Sequence, residues 1–263
     1  MAGTVSAAAA SVLGRRIHYV SGGSGEALYV FVHGFGADHT TWRMTLPHFV
    51  ERGRILALDL PGHGLSGVDV GPGTVAFFAD QVEAWLDAAG TDRFHLVGHS
   101  LGGAIATRLA GRRPQRVISL TLIAPIGFGP PINRTFIARF PHLRDPAEAR
   151  SVLSLLVANP RLISDQMVTD TLAFVGRAGV SAALETVAAN LASGDSFFPL
   201  RAEITALAAP PRIIWGAEDR ILPPPGDGGG APVEVIPRAG HLVQMEASAK
   251  VNRLVAPPVV PGG

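Results

Sequence analysis

Residues 94–103 read FHLVGHSLGG, and this stretch decides the fold that the sequence predicts. An apolar run ends in a Gly-x-Ser-x-Gly pattern at Gly98, Ser100 and Gly102, and an alanine-rich helical pattern follows it. A strand, a sharp turn and a helix in this order form an elbow that presents a serine hydroxyl at a helix N-terminus. We expect strained backbone at Ser100, and glycines that let the strand and the helix approach each other. The pattern is a weak signal by itself in a glycine-rich chain, so the interpretation depends on partners elsewhere.

The composition indicates a globular chain with few charges. Its 263 residues suit one α/β domain, with or without an insertion, and 47% of them are hydrophobic while 16% are charged. The net charge is +1 and no basic patch with interleaved aromatics occurs, so a nucleic-acid partner is not expected. The chain has no cysteine, which excludes disulfides, thiolate catalysis and cysteine metal sites.

We expect a cytoplasmic protein that makes no membrane contact. No apolar run reaches the roughly 18 residues that a membrane span needs. The apolar stretch at residues 7–13 has no basic residue before it and has Arg15 and Arg16 after it. This polarity is the reverse of that in a secretory signal peptide.

Apolar runs alternate with helical patterns along most of the chain. This alternation predicts an α/β fold with a mostly parallel, eight-stranded sheet and helices on both faces. The predicted strands are a hairpin over about residues 10–21, the elbow strand, and residues 27–32, 54–58, 117–123, 212–216 and 233–236. Besides the helix after the elbow, the predicted core helices are residues 39–51, 74–89 and 245–255.

The alternation stops over residues 127–205, where three helical patterns follow one another without a strand. The first begins at Asp145-Pro146, a capping residue followed by a proline at the first helical position. We predict an inserted helical cap over residues 127–205, on a core made of residues 1–126 and 206–256, with a flexible tail at 257–263. A second small domain is the alternative.

Polar residues follow several of the predicted strands at their carboxyl ends, the edge at which open parallel sheets bind ligands. A serine hydroxyl needs a base within hydrogen-bond reach, and the base needs an acid that orients it. His241 follows a late strand on a short turn and is the predicted base for Ser100. Asp219 is the preferred acid over its neighbour Glu218, and Asp59 is a weaker candidate.

Attack by a serine on a carbonyl produces an oxyanion, which backbone N–H groups can stabilise. The predicted donors are the N–H groups of Leu101, just after the serine, and of Phe35, in the loop after the first core strand. The side chains predicted to contact substrate are His33, His99, Phe128 and Leu242. His63 lies in another motif loop, whereas surface or core roles are predicted for the remaining histidines: His18, His39, His48, His95 and His142. No metal or other cofactor is implied.

Together these residues resemble the α/β-hydrolase superfamily over nearly the whole chain. The order Ser100, Asp219, His241 matches the family's order of nucleophile, acid and histidine, and HGFG at residues 33–36 matches its oxyanion loop. The stretch DLPGHGLS at residues 59–66 is similar to the family's loop after the next strand. The resemblance implies the α/β-hydrolase fold and a serine nucleophile.

Three further stretches resemble the hydrolase-type catalytic domain of the acyltransferase component of acetoin dehydrogenase complexes. They are LIAPIGFGPPIN at residues 122–133, QMV at 166–168 and GHLVQME at 240–246. Members of that family normally carry an N-terminal lipoyl domain, whose lipoyl group is attached through a lysine. Lys250 is the sole lysine of this sequence. This departure favours a stand-alone hydrolase. The proline- and glycine-rich loop at 223–232 also leaves no room for the helix that many relatives have there.

The residues and the resemblance predict a serine hydrolase that cleaves a small or medium carboxylic ester or thioester through an acyl-serine intermediate. The first alternative is an acyltransferase that passes the acyl group to a thiol such as dihydrolipoamide or coenzyme A. A carbon–carbon bond hydrolase and a non-catalytic binding protein are further alternatives. The expected partner is a small-molecule substrate, and the sequence indicates no oligomeric state.

Overall fold

One sheet organises the molecule, which is described here from a computed structural model covering residues 4–128, 131–193, 203, 210–225 and 232–255. In these residues the sheet has eight strands. Their bounds are β1 Val5–Val12, β2 Arg15–Gly22, β3 Leu28–Val32, β4 Arg54–Leu58, β5 Phe94–His99, β6 Val117–Ile123, β7 Arg212–Gly216 and β8 Val233–Ile236.

The strand order is β1-β2-β4-β3-β5-β6-β7-β8. The pairs β1–β2 and β2–β4 are antiparallel, and all other neighbours are parallel. The predicted mostly parallel sheet is therefore confirmed. Its first hairpin is longer than predicted, because the alanine run at residues 7–10, which shows no strand alternation, pairs in register with β2. Leu13 and Gly14 form the turn at φ 48° and 77°.

Helices cover both faces of the sheet. The core helices are α1 Leu46–Val50, α2 Val75–Ala88, α3 Leu101–Arg112, α8 Val243–Glu246 and α9 Ser248–Val255. A larger apolar core joins α2 and α3 to one face, and a smaller one joins α1 and α9 to the other. The close packing of β3, β5 and α3 brings the loop after β3 next to the start of α3.

Two predicted core helices are broken in the structure. Residues 39–51 form a 3-10 turn at His39–Trp42 and then α1, because the Asp38 side chain caps the turn and Pro47 starts a new helix. The last helix begins at Val243 and is interrupted at Ala247, which separates α8 from α9. Helical periodicity runs through such breaks and does not reveal them.

Residues 131–193, called the cap below, contain α4 Arg134–Arg139, α5 Pro146–Leu153, α6 Asp165–Val175 and α7 Val180–Ser193. The Asp145 side chain accepts the Glu148 N–H at 2.8 Å, as its capping pattern predicts. Helix α4 was not predicted, since it is only six residues long and is capped by Asn133. The predicted boundary at 205/206, residues 226–231 of the proline- and glycine-rich loop, and the tail at 257–263 lie outside the described residues.

No single helix of the described chain has both the length and the apolar character for a membrane span. The consecutive helices α6 and α7 reach that length and composition together, but they meet at an angle of 94°.

Candidate active site

Ser100 stands at a strained elbow between β5 and α3. Its φ of 54° and ψ of −116° lie in a region that side chains with a Cβ rarely adopt, at a cost of about 1–3 kcal/mol. The turn is held because the Ser100 N–H donates to the Ile123 carbonyl at 2.9 Å and the Ser100 carbonyl accepts from Gly103 at 2.9 Å. The hydroxyl-bearing residue thus sits at the N-cap of a twelve-residue helix.

The elbow glycines are required by close backbone contact. A Cβ on Gly98 would lie 2.3 Å from the Gly102 carbonyl oxygen, and a Cβ on Gly102 would lie 2.1 Å from the Val32 carbonyl oxygen. Both distances are far below van der Waals contact. Strand β5, helix α3 and strand β3 can therefore approach this closely only with hydrogen side chains at these positions.

His241 and Asp219 form a buried hydrogen-bonded pair. The His241 Nδ1–H donates to Asp219 Oδ2 at 2.7 Å, and the two residues are 3% and 4% exposed. The other carboxylate oxygen, Oδ1, accepts the backbone N–H groups of Ile221 and Leu222, each at 2.8 Å. Three donors thus fix the orientation of the carboxylate. Glu218, the competing acid, is exposed and does not contact His241 in the described structure.

Ser100 and His241 line the same cavity, which has a volume of about 170 Å³. Core loops form its floor, and cap helices form its walls. Most of the lining is apolar, from Phe35, Ile132, Phe136, Phe140, Leu153, Leu156, Met167, Phe174, Ile221, Leu242 and Met245. The polar groups besides Ser100 and His241 are Asp38, Thr40, Thr41, Arg43, His99, Asp170 and Thr171. The cavity therefore suits an apolar group bound next to the serine.

The loop after β3 is one of the core loops that line this cavity. Gly34, Phe35 and Gly36 line it, and Leu101 starts α3 directly after the serine. In the described part of the chain, neither the Phe35 nor the Leu101 N–H donates to another backbone carbonyl. Of these two residues, Phe35 lines the cavity, while Leu101 follows Ser100, which also lines it. Gly36 has φ 70°, and a Cβ there would lie 2.5 Å from the Phe140 ring of the cap.

Two of the four predicted substrate contacts lie elsewhere. His99 and Leu242 line the cavity, but His33 and Phe128 do not. Both His33 nitrogens are occupied, since Nδ1–H donates to the Gly34 carbonyl at 2.8 Å and Nε2 accepts the Leu60 N–H at 2.9 Å. Phe128 is 3% exposed and packs into the larger apolar core. In the structure His33 joins two loops and Phe128 fills the core, so neither residue lines the cavity that Ser100 and His241 share.

Asp59 organises the loop that follows β4. Its carboxylate accepts from the Nδ1 atoms of His18 and His39 and from the backbone N–H groups of His39 and Leu65, each at 2.8 Å. Burial by itself would raise the pKa of the Asp59 carboxyl, but the hydrogen bond from His39, the electrostatic interaction with His33 and the Leu65 N–H hold it well below its usual value. This carboxylate is therefore engaged away from His241.

The same three side chains have the ligand types of a metal site. The ligand atoms of His18, His39 and Asp59 lie within 4.8 Å of one another. Each of these imidazole Nδ1 atoms is already hydrogen-bonded to the carboxylate. The cluster accordingly serves to tie β2, the 3-10 turn and the loop at 59–66 together.

The cap is attached to both loops that carry the His241–Asp219 pair. The Glu246 carboxylate accepts the backbone N–H groups of Gly240 at 2.6 Å, Ala158 at 2.9 Å and Asn159 at 3.2 Å. The Arg220 guanidinium donates to the Val157 carbonyl at 2.6 Å and to the Ser154 carbonyl. Neither role is evident from the sequence, although Glu246 lies in a stretch that carries the family resemblance.

Comparisons with known proteins agree with this geometry. The model of the alpha/beta hydrolase family matches residues 29–254. The dihydrolipoyllysine-residue acetyltransferase component of the acetoin cleaving system of Pseudomonas putida is 38% identical over 249 residues. That match covers 93% of this chain but 66% of the relative, so the chain spans about two thirds of the relative's length. The predicted resemblance is confirmed.

Two other proteins are similar over nearly their full length. The 2-hydroxy-6-oxononadienedioate/2-hydroxy-6-oxononatrienedioate hydrolase of Burkholderia vietnamiensis is 30% identical over 262 residues, covering 91% of this chain and 89% of that protein. The solved structure of the meta-cleavage product hydrolase of Pseudomonas fluorescens IP01 has a TM-score of 0.84 at 22% identity. It covers 94% of this chain and 95% of its own, which establishes a shared fold.

Proposed function

Because the chain belongs to the alpha/beta hydrolase family, we propose that it is a serine hydrolase that cleaves a small or medium carboxylic ester or thioester. The observation that carries this proposal is the buried His241–Asp219 pair, whose imidazole lines one mostly apolar cavity together with Ser100. Ser100 is the proposed nucleophile, His241 the base and Asp219 the orienting acid. The protein's partner is then a small-molecule substrate.

In the first half of the reaction, His241 Nε2 takes the Ser100 proton as the oxygen attacks the substrate carbonyl. The Asp219 carboxylate keeps the proton on Nδ1 and stabilises the imidazolium that forms. The Phe35 and Leu101 N–H groups hold the oxyanion, and each such donor is worth about 3 kcal/mol. The imidazolium then protonates the leaving alcohol or thiol, which leaves an acyl-Ser100 ester.

In the second half, His241 removes a proton from water, and the hydroxide attacks the acyl-serine carbonyl. The same two N–H groups hold the second oxyanion. Collapse returns the proton from His241 to Ser100 and releases the carboxylic acid. Water and the ester are thereby converted to an acid and an alcohol, with no other reactant consumed.

The size of the cavity supports a short acyl group. A volume of about 170 Å³ holds only a few heavy atoms beyond the carbonyl, and most of the side chains that line it are apolar. An uncharged aliphatic or aromatic acyl group is favoured, because most of the surface that it would contact offers a charged group nothing to replace its hydration.

The test is a panel of p-nitrophenyl esters and acyl thioesters of increasing acyl length, with a fluorophosphonate probe for the nucleophile. We expect burst kinetics with the short esters, and labelling of the wild-type chain that Ser100→Ala abolishes. Full ester hydrolysis by Ser100→Ala would overturn the proposal. Absence of labelling in a folded wild-type chain would favour a non-catalytic binding protein.

The acyl pocket has its own test in α5. Leu153 lines the cavity, whereas its neighbour Val152 is 1% exposed and does not. Leu153→Ala is expected to shift the preference toward longer acyl chains and to cost about 2–5 kcal/mol of stability. Val152→Ala should lower stability without moving the chain-length preference. A shift of similar size in both variants would contradict the assignment of the pocket.

An acyltransferase is the second candidate, and the 38% identity to the acetyltransferase component of the acetoin cleaving system favours it. The same acyl-serine would be attacked by a thiol in place of water. Addition of dihydrolipoamide or coenzyme A to the ester assay separates the two. Product in the form of thioester indicates transfer, while free acid at an unchanged rate indicates hydrolysis.

A further inference from the structure

The imidazole of His99 connects the strand that carries the serine to the loop that carries His241. His99 is 2% exposed, and its Nε2 lies 3.0 Å from the main-chain carbonyl oxygen of His241. A carbonyl oxygen can only accept, so Nε2 carries the proton and donates it. The two imidazole rings lie 4.7 Å apart at 52°.

The other ring nitrogen of His99 is left without a partner. In the described structure Nδ1 is buried and makes no hydrogen bond, and a Cβ on Gly34 would lie 3.1 Å from it. A buried acceptor without a hydrogen bond is costly, and such groups in folded proteins call for an explanation. We infer that the cost at Nδ1 is tolerated because the same ring donates from Nε2 to the His241 carbonyl.

The lowered pKa of His99 agrees with this role as a donor from Nε2. Burial first, and then the neighbouring His241, lower the pKa of His99 well below its usual value, which keeps the ring neutral. A neutral ring can donate from Nε2 without placing a second positive charge beside His241 when that imidazole takes up a proton.

We propose that His99 is a positioning residue, which fixes the main chain of His241 to strand β5 so that the imidazole stays aligned with Ser100. His99 directly precedes Ser100, so this hydrogen bond ties the main chain of the base to the strand that presents the nucleophile. The inference rests on the proposed function, because it assigns His99 a part in that reaction.

The test compares two amide variants of His99. The amide nitrogen of glutamine reaches the place of Nε2, whereas that of asparagine is one carbon shorter. His99→Gln should keep most of the ester hydrolysis rate. His99→Asn should lose about a hundredfold in kcat with little change in KM, the cost of a misplacement of about 1 Å. His95→Leu, on the same strand and outside the cavity, is the control for a lost histidine hydrogen bond.

A second readout does not need catalysis. The Nδ1–H of His241, bonded to Asp219, should give a far-downfield proton resonance that His241→Gln abolishes. We expect the resonance to persist in His99→Gln and His95→Leu and to broaden or vanish in His99→Asn. Equal kcat and equal resonances in the two His99 variants would overturn the inference. A wild-type chain inert toward both the esters and the thioesters of the panel would overturn the proposed function, and the resonances alone would then decide on His99.

Discussion

At the scale of single residues, the orientation of His241 depends on one carboxylate. Asp219 accepts from His241 through one oxygen and from two backbone N–H groups through the other, so its position is fixed from both sides. Replacing it by asparagine keeps the shape but removes the acceptor charge and favours the wrong imidazole tautomer.

Asp219→Asn is therefore expected to lower kcat for ester hydrolysis by about 10⁴-fold. The matched control is Glu218→Gln, one residue earlier and exposed, which should retain wild-type kinetics. Steady-state rates with the best ester of the panel provide the measurement. Equal losses in both variants would contradict the choice of acid.

The residues of the site were predictable to different degrees. Ser100, Asp219 and His241 each follow a strand that ends at the same sheet edge, so topology alone brings their loops together. His33 and Phe128 also follow strands, yet neither lines the cavity, because His33 is bonded to two loops and Phe128 packs in the core. Local sequence does not predict which side chain of a loop lines the cavity, since this depends on the neighbours that accept its hydrogen bonds or pack against its apolar surface.

At the scale of elements, the elbow depends on how closely α3 approaches β3. Gly102→Ala should lower the melting temperature sharply or prevent folding, because its Cβ would overlap the Val32 carbonyl. Gly111→Ala, in the same helix, would meet nothing closer than 3.6 Å and should stabilise by about 0.5–1 kcal/mol. Thermal melting of both variants checks this, and similar behaviour would contradict the packing argument.

Strands were predicted better than helix ends. Buried strands are short apolar runs bounded by turn residues, and strands β2 to β8 occur where the sequence pattern predicts them. The predicted helices are interrupted at residues 43–45 and at Ala247, where capping and packing override a continuous periodicity. The short α4 carries too few residues for a periodic signal.

At the scale of the whole molecule, buried histidines link folding to pH. Burial, and next the electrostatic interaction with His33, lower the pKa of His63 to about 3, while in the unfolded chain the same imidazole titrates near its ordinary 6.5. Below pH 6.5 the unfolded state therefore binds a proton that the folded state does not. The free energy of unfolding falls as the pH drops from 6.5 toward 3, by up to about 1.4 kcal/mol per pH unit for one such group. His39, whose pKa is raised by its bond to Asp59, acts in the opposite direction.

His63→Phe is expected to reduce the slope of the unfolding free energy against pH by the contribution of about one bound proton. The variant also loses the hydrogen bond between His63 and the Pro61 carbonyl. Phenylalanine can keep the ring contacts with Phe35 and Phe78. Urea unfolding at pH 7, 6, 5 and 4 gives the slopes, with the exposed His142→Gln as control. An unchanged slope in His63→Phe would contradict a neutral buried imidazole.

The attachment of the cap to Arg220 and Glu246 has a consequence for engineering. Residues 154–159 share hydrogen bonds with the loops on both sides of the His241–Asp219 pair. A chimera that exchanges this cap for a relative's would lose those bonds unless positions 220 and 246 were transplanted with it. A chimera meant to exchange substrate preference between such proteins should therefore take the cap and the residues at positions 220 and 246 from the same parent.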